Sequence, residues 1–263
     1  MSDFLQKSVT AKRREIAEAS ARVPLAKLRE MASEKRVFRG FAASLAQPGV
    51  RSIAEIKRAS PSKGDLHANL DPTALARAYE AGGAAALSVL TERDFFKGSQ
   101  EDLAAARAAV SLPVLRKDFI LDEYQVYETV CMGADAMLLI VRLLTDDELA
   151  RLDKLARDLR LDVLVEVHNE ADAARANRIG ARLIGINNRD LARFNTDASN
   201  ARRVAALFPP ETTIVAASAI TGSDDIRRNL SAGISRFLIG EALVRTDNPS
   251  HLLRTLVATQ GAP

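Results

Sequence analysis

Tryptophan is absent from the 263-residue chain and aromatic side chains make up only 5% of it, so Ala, Leu, Val and Ile must pack the core. That palette suits helices laid on a parallel sheet and leaves few rings on which nucleic-acid bases could stack. Cysteine occurs once, at Cys131, which excludes an internal disulfide and gives no sign of an oxidising compartment. Within the apolar stretch ETVCMGADAMLLI it reads as a small buried hydrophobe. Three histidines (His67, His168, His251) and that lone thiol show no metal-ligand spacing, so no metal is expected. No apolar run approaches the ~20 residues of a membrane span, and MSDFLQKSVTAKRRE has no apolar signal-like core. A soluble, cytoplasmic protein without a membrane partner is the expectation. Charge of one sign is not in excess: 37 Lys and Arg meet 34 Asp and Glu, a net +3 with no basic stripe. This favours an anionic ligand weakly and argues against nucleic acid.

What is present is rhythm. The first ~45 residues read as helix, with FLQKSVTAKRREIAEASARV, a break at Pro24, then LAKLREMASEKRVF. After AQPGV, short β-branched runs alternate with Ala/Leu-rich amphipathic segments. Eight such runs can be placed: Ser52–Lys57, Ala85–Leu90, Pro113–Lys117, Ala136–Val141, Asp162–Val167, Leu183–Asn188, Thr213–Ser218 and Arg236–Ile239. Asp71-Pro72 reads as an N-cap followed by Pro at the first helical position, with Gly82-Gly83 as the stop. Thr145 with Glu148 reads as a capping box, and Gly133, Gly180 and Gly233 each fall just before the next strand. Repeated βα units without a composition shift predict an α/β fold, a single (β/α)8 TIM barrel over 50–263 with an N-terminal helical extension over 1–45. An open doubly wound sheet is the competing architecture.

Active sites of such barrels lie at the C-terminal ends of the strands. In IAEIKRASPSKG, Glu55 and Lys57 are two residues apart and share one face. Lys117 closes the third run, Glu166 lies on the inward face of VLVEVH, and Asn187 and Arg189 share a face in LIGINNRD. Two carboxylates beside two lysines supply acid and base candidates; the plainer alternative is a polar layer that fills the barrel mouth. His168, at a loop start beyond Glu166, reads as exposed or capping, and Cys131 and the four Met read as packing. LIGEALVR places Gly240 and Glu241 where the eighth run meets a short helix, a position whose amide groups can hold a dianion, and the Ser218 hydroxyl could add a donor.

In order, IAEIKRASPSKG, LSVLTERDFFKGS, PVLRKDFI, GADAMLLIVRLL, LVEVHNE and IGINNRDL resemble the motifs of the indole-3-glycerol phosphate synthase family over essentially the whole chain. EIKRASPSKG and LRKDFI are the most specific of them. The resemblance implies cofactor-free closure of a pyrrole ring on 1-(o-carboxyphenylamino)-1-deoxyribulose 5-phosphate, with loss of carbon dioxide and water. It implies Lys117 as the acid at the ketone oxygen, with Glu55, Lys57 and Glu166 as acid–base partners in dehydration; which of them carries each proton stays open. Asn187 and Arg189 would hold Glu166 and the substrate carboxylate in register. Phe96, Phe119, Leu138, Ile140 and Leu191 would wall the aryl ring, and Ser60, Ser218 and the amides around Gly240 and Glu241 would meet the phosphate. The segment RASPSKGDLH has the Ser/Pro/Gly content of a mobile lid.

One departure stands out. The family's ESG at the end of the seventh strand is replaced by AASAI, so Ala217 stands where a substrate-facing glutamate is expected and Ala219 where a phosphate-binding glycine is expected. Three functions are therefore weighed: a working synthase, an impaired barrel of the same descent that binds a metabolite, and a related isomerase such as phosphoribosylanthranilate isomerase. Lys57, Lys117 and Glu166 together argue against the third, whose chemistry typically uses a Cys/Asp pair. The expected partner is a small phosphorylated substrate, and the expected state is a monomer.

Overall fold

The computed structural model describes residues 3–34, 36–67, 69–189, 197 and 199–260. Eight parallel strands close a barrel: β1 (Arg51–Ile56), β4 (Ala86–Leu90), β5 (Val114–Lys117), β6 (Ala136–Ile140), β7 (Asp162–Val167), β8 (Leu183–Asn187), β9 (Thr213–Ala217) and β10 (Arg236–Ile239). Each expected run meets its strand within a residue or two. The loop after β1 carries a small antiparallel hairpin, β2 (Ala59–Ser60) with β3 (Gly64–Asp65), that strand periodicity did not signal. Parallel strands covered on both faces have to be apolar almost throughout; β4 and β6 are accordingly buried at every position.

Helices follow the strands in turn: α4 (Pro72–Ala81), α5 (Gln100–Ala109), α6 (Glu123–Cys131), α7 (Asp146–Asp158), α8 (Glu170–Arg178), α9 (Asn200–Ala205), α10 (Ser223–Leu230), α11 (Glu241–Arg245) and α12 (Pro249–Val257). A one-turn 3-10 helix at Val141–Leu143 precedes α7. The expected signals operate: the Asp71 side chain accepts from the amides of Thr73 and Ala74, and Thr145 and Glu148 form a reciprocal capping box. Gly133, Gly180 and Gly233 adopt φ of 81°, 65° and 77°, the left-handed turn that ends a helix at little cost only in glycine.

Three helices precede the barrel: α1 (Asp3–Arg22), α2 (Leu25–Ser33) and α3 (Phe41–Ala46). The helix expected to run through Phe38 stops at Ser33, where Glu34 turns extended. Tertiary contacts override local preference there, because the Arg39 guanidinium docks on the carbonyls of Arg107, Val110 and Leu112 while its amide donates to Asp135. The short α3 then plugs the N-terminal mouth. Phe41 and Leu45 are fully buried, and the carbonyls of Ser44 and Leu45 accept from the side chains of Arg51 and Arg236 at the starts of β1 and β10.

Two apolar layers result, one inside the barrel (Ile53, Leu115, Leu138, Leu164, Val215 and Leu238 among others) and a larger one between strands and helices. Cys131 is half-buried rather than fully enclosed, at the α2–α6 contact, and burial pushes its thiol pKa up. Among the described residues no helix is long and apolar enough to cross a membrane.

Candidate active site

The C-terminal mouth of the barrel opens into a cavity of about 500 Å³. Its floor carries two lysine–carboxylate pairs. At the end of β1, Lys57 Nζ lies 2.7 Å from Glu55 Oε1; the two residues straddle Ile56, which faces the helices. Across the floor, Lys117 at the end of β5 reaches Glu166 of β7, with Nζ 3.1 Å from Oε2. Asn187, at the end of β8, donates from Nδ2 to the other oxygen of Glu166 at 3.1 Å. Asn187 is held in turn, because its Oδ1 accepts from Ser218 Oγ at 2.8 Å and from the Arg189 amide at 3.0 Å.

Burial opposes both charges of the second pair, yet their neighbours outweigh it. The charges of Glu166 and Glu55 hold the Lys117 ammonium above the ordinary lysine value. Lys117, His168 and the Asn187 hydrogen bond hold Glu166 below the ordinary carboxylate value. At neutral pH the floor thus presents an ammonium donor beside an ionised carboxylate.

One wall is apolar. Phe96, Phe119, Leu138 and Ile140 line it, with the rings of Phe96 and Phe119 6.2 Å apart. Phe96 is carried by a loop that Glu92 organises, its carboxylate accepting from the amides of Asp94, Phe95 and Phe96. The opposite rim is polar. Arg189 reaches Ser62 Oγ at 3.1 Å and Glu241 Oε2 at 3.5 Å, and Arg245 meets the other Glu241 oxygen at 3.5 Å. Ser60 Oγ is buried with no hydrogen-bond partner among the described residues, and it faces the same cavity. Gly240 leaves room for the Glu55–Lys57 pair, because a Cβ there would lie 2.5 Å from Glu55 Oε1 and 3.1 Å from Lys57 Nζ and would displace the carboxylate.

Every described residue expected at the site (Glu55, Lys57, Ser60, Phe96, Lys117, Phe119, Leu138, Ile140, Glu166, Asn187, Arg189, Ser218, Gly240 and Glu241) lines this one cavity. Leu191 lies outside the described residues. Further residues line the cavity, among them Arg245, signalled in the sequence only by its i+4 spacing from Glu241 on one short helix, and Ser62 and Lys63, which only the β2–β3 hairpin turns inward. His168 corrects the expectation of an exposed or capping side chain: it is buried, with Nε2 3.4 Å from Glu166 and Nδ1 3.6 Å from Asp172, and neither nitrogen makes a capping hydrogen bond among the described residues. The reason is that α8 starts immediately after β7 and folds the side chain under itself. Ala217 also faces the cavity, and the chain then turns through Ser218 (φ 65°) and Ala219 (φ 60°), a left-handed pair without glycine.

A family model for indole-3-glycerol phosphate synthase matches residues 5–256. The chain belongs to the indole-3-glycerol phosphate synthase family. It is 52% identical to the indole-3-glycerol phosphate synthase of Desulfosudis oleivorans, over 98% of this chain and 100% of that one. It is 45% identical to the synthase of Carboxydothermus hydrogenoformans, over 97% of this chain and 100% of that protein. Among solved structures, 3-hexulose-6-phosphate synthase from Salmonella typhimurium superposes with a TM-score of 0.65 at 12% identity, covering 80% of this chain and 97% of that one. At that identity the likeness concerns the fold alone.

Proposed function

We propose that the chain is a carboxy-lyase that converts 1-(o-carboxyphenylamino)-1-deoxyribulose 5-phosphate to indole-3-glycerol phosphate, in tryptophan biosynthesis and without a cofactor. The observation that carries this reading is the pair of lysine–carboxylate contacts, Lys57–Glu55 and Lys117–Glu166, facing one cavity beside an aromatic wall. The aryl ring fits between Phe96, Phe119, Leu138 and Ile140. The phosphate fits at the opposite rim, against Ser60, Ser218 and the amides of Gly240 and Glu241. Lys117, held protonated, donates to the ketone oxygen as the carboxylate-bearing ring carbon attacks the ketone carbon. Loss of carbon dioxide from that carbon restores the electrons the attack withdrew, and loss of the hydroxyl as water completes the pyrrole. Glu166 and the Glu55–Lys57 pair supply the acid and base for dehydration.

Incubation with the substrate tests this directly. A rise in indole-ring fluorescence, with one equivalent of carbon dioxide released, is expected. Tight substrate binding without either signal would instead make the chain a metabolite binder, with Ala217 and Ala219 as the first residues to revert.

A further inference from the structure

His168 takes no part in the chemistry above, yet it is buried against the carboxylate at its centre. Its side chain is 2% exposed. Its backbone is pinned on both sides, the amide donating to Asp172 Oδ2 at 3.0 Å and the carbonyl accepting from Asn200 Nδ2 at 3.0 Å. Neither ring nitrogen makes a hydrogen bond of ordinary length to any described residue, a costly condition for buried polar atoms. Each nevertheless faces one carboxylate, Nε2 at 3.4 Å from Glu166 Oε1 and Nδ1 at 3.6 Å from Asp172 Oδ2. Both separations exceed the usual hydrogen-bond length, and a rotation of the ring or of the carboxylate would be needed to close either contact.

We propose that His168 is a positioning residue for Glu166: it donates from Nε2 to Oε1 and, with Asn187, fixes the plane of that carboxylate while Lys117 turns to the substrate. The inference rests on the function proposed above. Oε2 is held by Lys117, which must leave it to address a ketone, and among the described residues Oε1 is held by Asn187 alone unless His168 joins. One hydrogen bond permits rotation about the last side-chain bond; a second donor on the same oxygen restricts it. An ionised carboxylate only accepts, so the nitrogen facing Glu166 has to carry the proton. Asp172 also has the His168 amide at 3.0 Å and Arg142 at 3.4 Å, with the other ring nitrogen against it at 3.6 Å. A proton on Nε2, the nitrogen that faces Glu166, is what the contact with Glu166 requires.

Three substitutions separate positioning from packing. The amide nitrogen of glutamine can occupy the place of Nε2, that of asparagine the place of Nδ1, and leucine fills the volume with neither. His168→Leu and His168→Asn should lower kcat on the order of 10-fold with KM within about 3-fold, the signature of a displaced reacting group. His168→Gln should keep kcat within about 3-fold of the parent. Equal kcat for the Asn and Gln variants, or thermal destabilisation with kcat intact, would overturn the proposal. A second readout is independent of turnover. The chain has three histidines, and His67 and His251 are exposed, so the buried imidazole should be recognisable by 15N NMR. It should show a protonated Nε2, and its signals should move in Glu166→Gln while the other two stay. A His168 protonated at Nδ1 alone, or unresponsive to Glu166→Gln, would refute the contact even in a chain that proved unable to close the indole ring.

Discussion

Lys117 and Asp118 are neighbours at the end of β5, and their side chains end in opposite kinds of surroundings. Asp118 sits in a closed knot of charge between the barrel wall and the N-terminal helix. One oxygen meets Lys12 Nζ at 2.7 Å and the Phe119 amide at 2.8 Å; the other meets Thr91 Oγ1 at 2.7 Å and Arg116 at 3.0 Å. Arg116 continues to Glu128 at 2.7 Å and to the carbonyl of Gln125. Lys12, Arg116 and Asp118 are at most 1% exposed. Lys117 has a single acceptor among the described residues and faces the cavity, as do Lys57 and the unpartnered Ser60. Saturated buried charge specifies structure, whereas charge left with spare hydrogen-bonding capacity at a cavity is available for chemistry.

Breaking that contrast gives graded outcomes. The largest is expected at the cavity: Glu166→Gln should reduce kcat by ~10²–10⁴-fold while substrate affinity changes little, as steady-state and binding measurements would show. In the knot, Lys12→Met leaves Asp118 short of a cation in a dry site and should cost on the order of 3 kcal/mol in urea unfolding. Gly240→Ala drives a methyl group into Glu55 Oε1, 2.5 Å from the Cβ position. Because the flexible end of Glu55 can yield, kcat/KM should fall on the order of 10-fold while thermal stability changes little. At Ala219 the sign reverses: glycine removes left-handed strain from an alanine at φ 60° and should raise stability by ~1 kcal/mol. Combined with Ala217→Glu, it should also raise kcat/KM.

The smallest effect is one of pH. Glu166 is depressed in the folded state, so its contribution is present above the unfolded value near 4.5 and lost as pH falls through the folded one. Lys117 is raised, so its contribution is present below 10.5 and lost as pH climbs through the folded value. The unfolding free energy gained from this pair should therefore be flat between those limits. The gap between parent and Glu166→Gln should narrow at both ends, on the acid side as Glu166 is protonated and on the alkaline side as Lys117 loses its charge.

The barrel was legible because its strands are short β-branched runs and its helices carry caps and left-handed glycines, all local signals. The cavity was legible because residues two apart on a strand share a face, which placed Glu55 with Lys57 and singled out Glu166. The knot was not. Lys12 on a polar helix reads as solvent-facing, and only the docking of α1 buries it against Asp118. His168 was misread for the same reason, since the return of α8 over the end of β7 is a tertiary event. Hairpin β2–β3 escaped notice because two-residue strands carry no periodicity.

The division between knot and cavity is tested most directly by Lys117→Ala, with kcat and the urea midpoint measured on the same preparation. In Lys117→Ala kcat should fall at least 100-fold while the midpoint falls less than in Lys12→Met, because Glu166 keeps the Asn187 hydrogen bond and lines the open cavity. A variant that retained kcat and lost as much stability as Lys12→Met would instead place Lys117 with Asp118 in the framework.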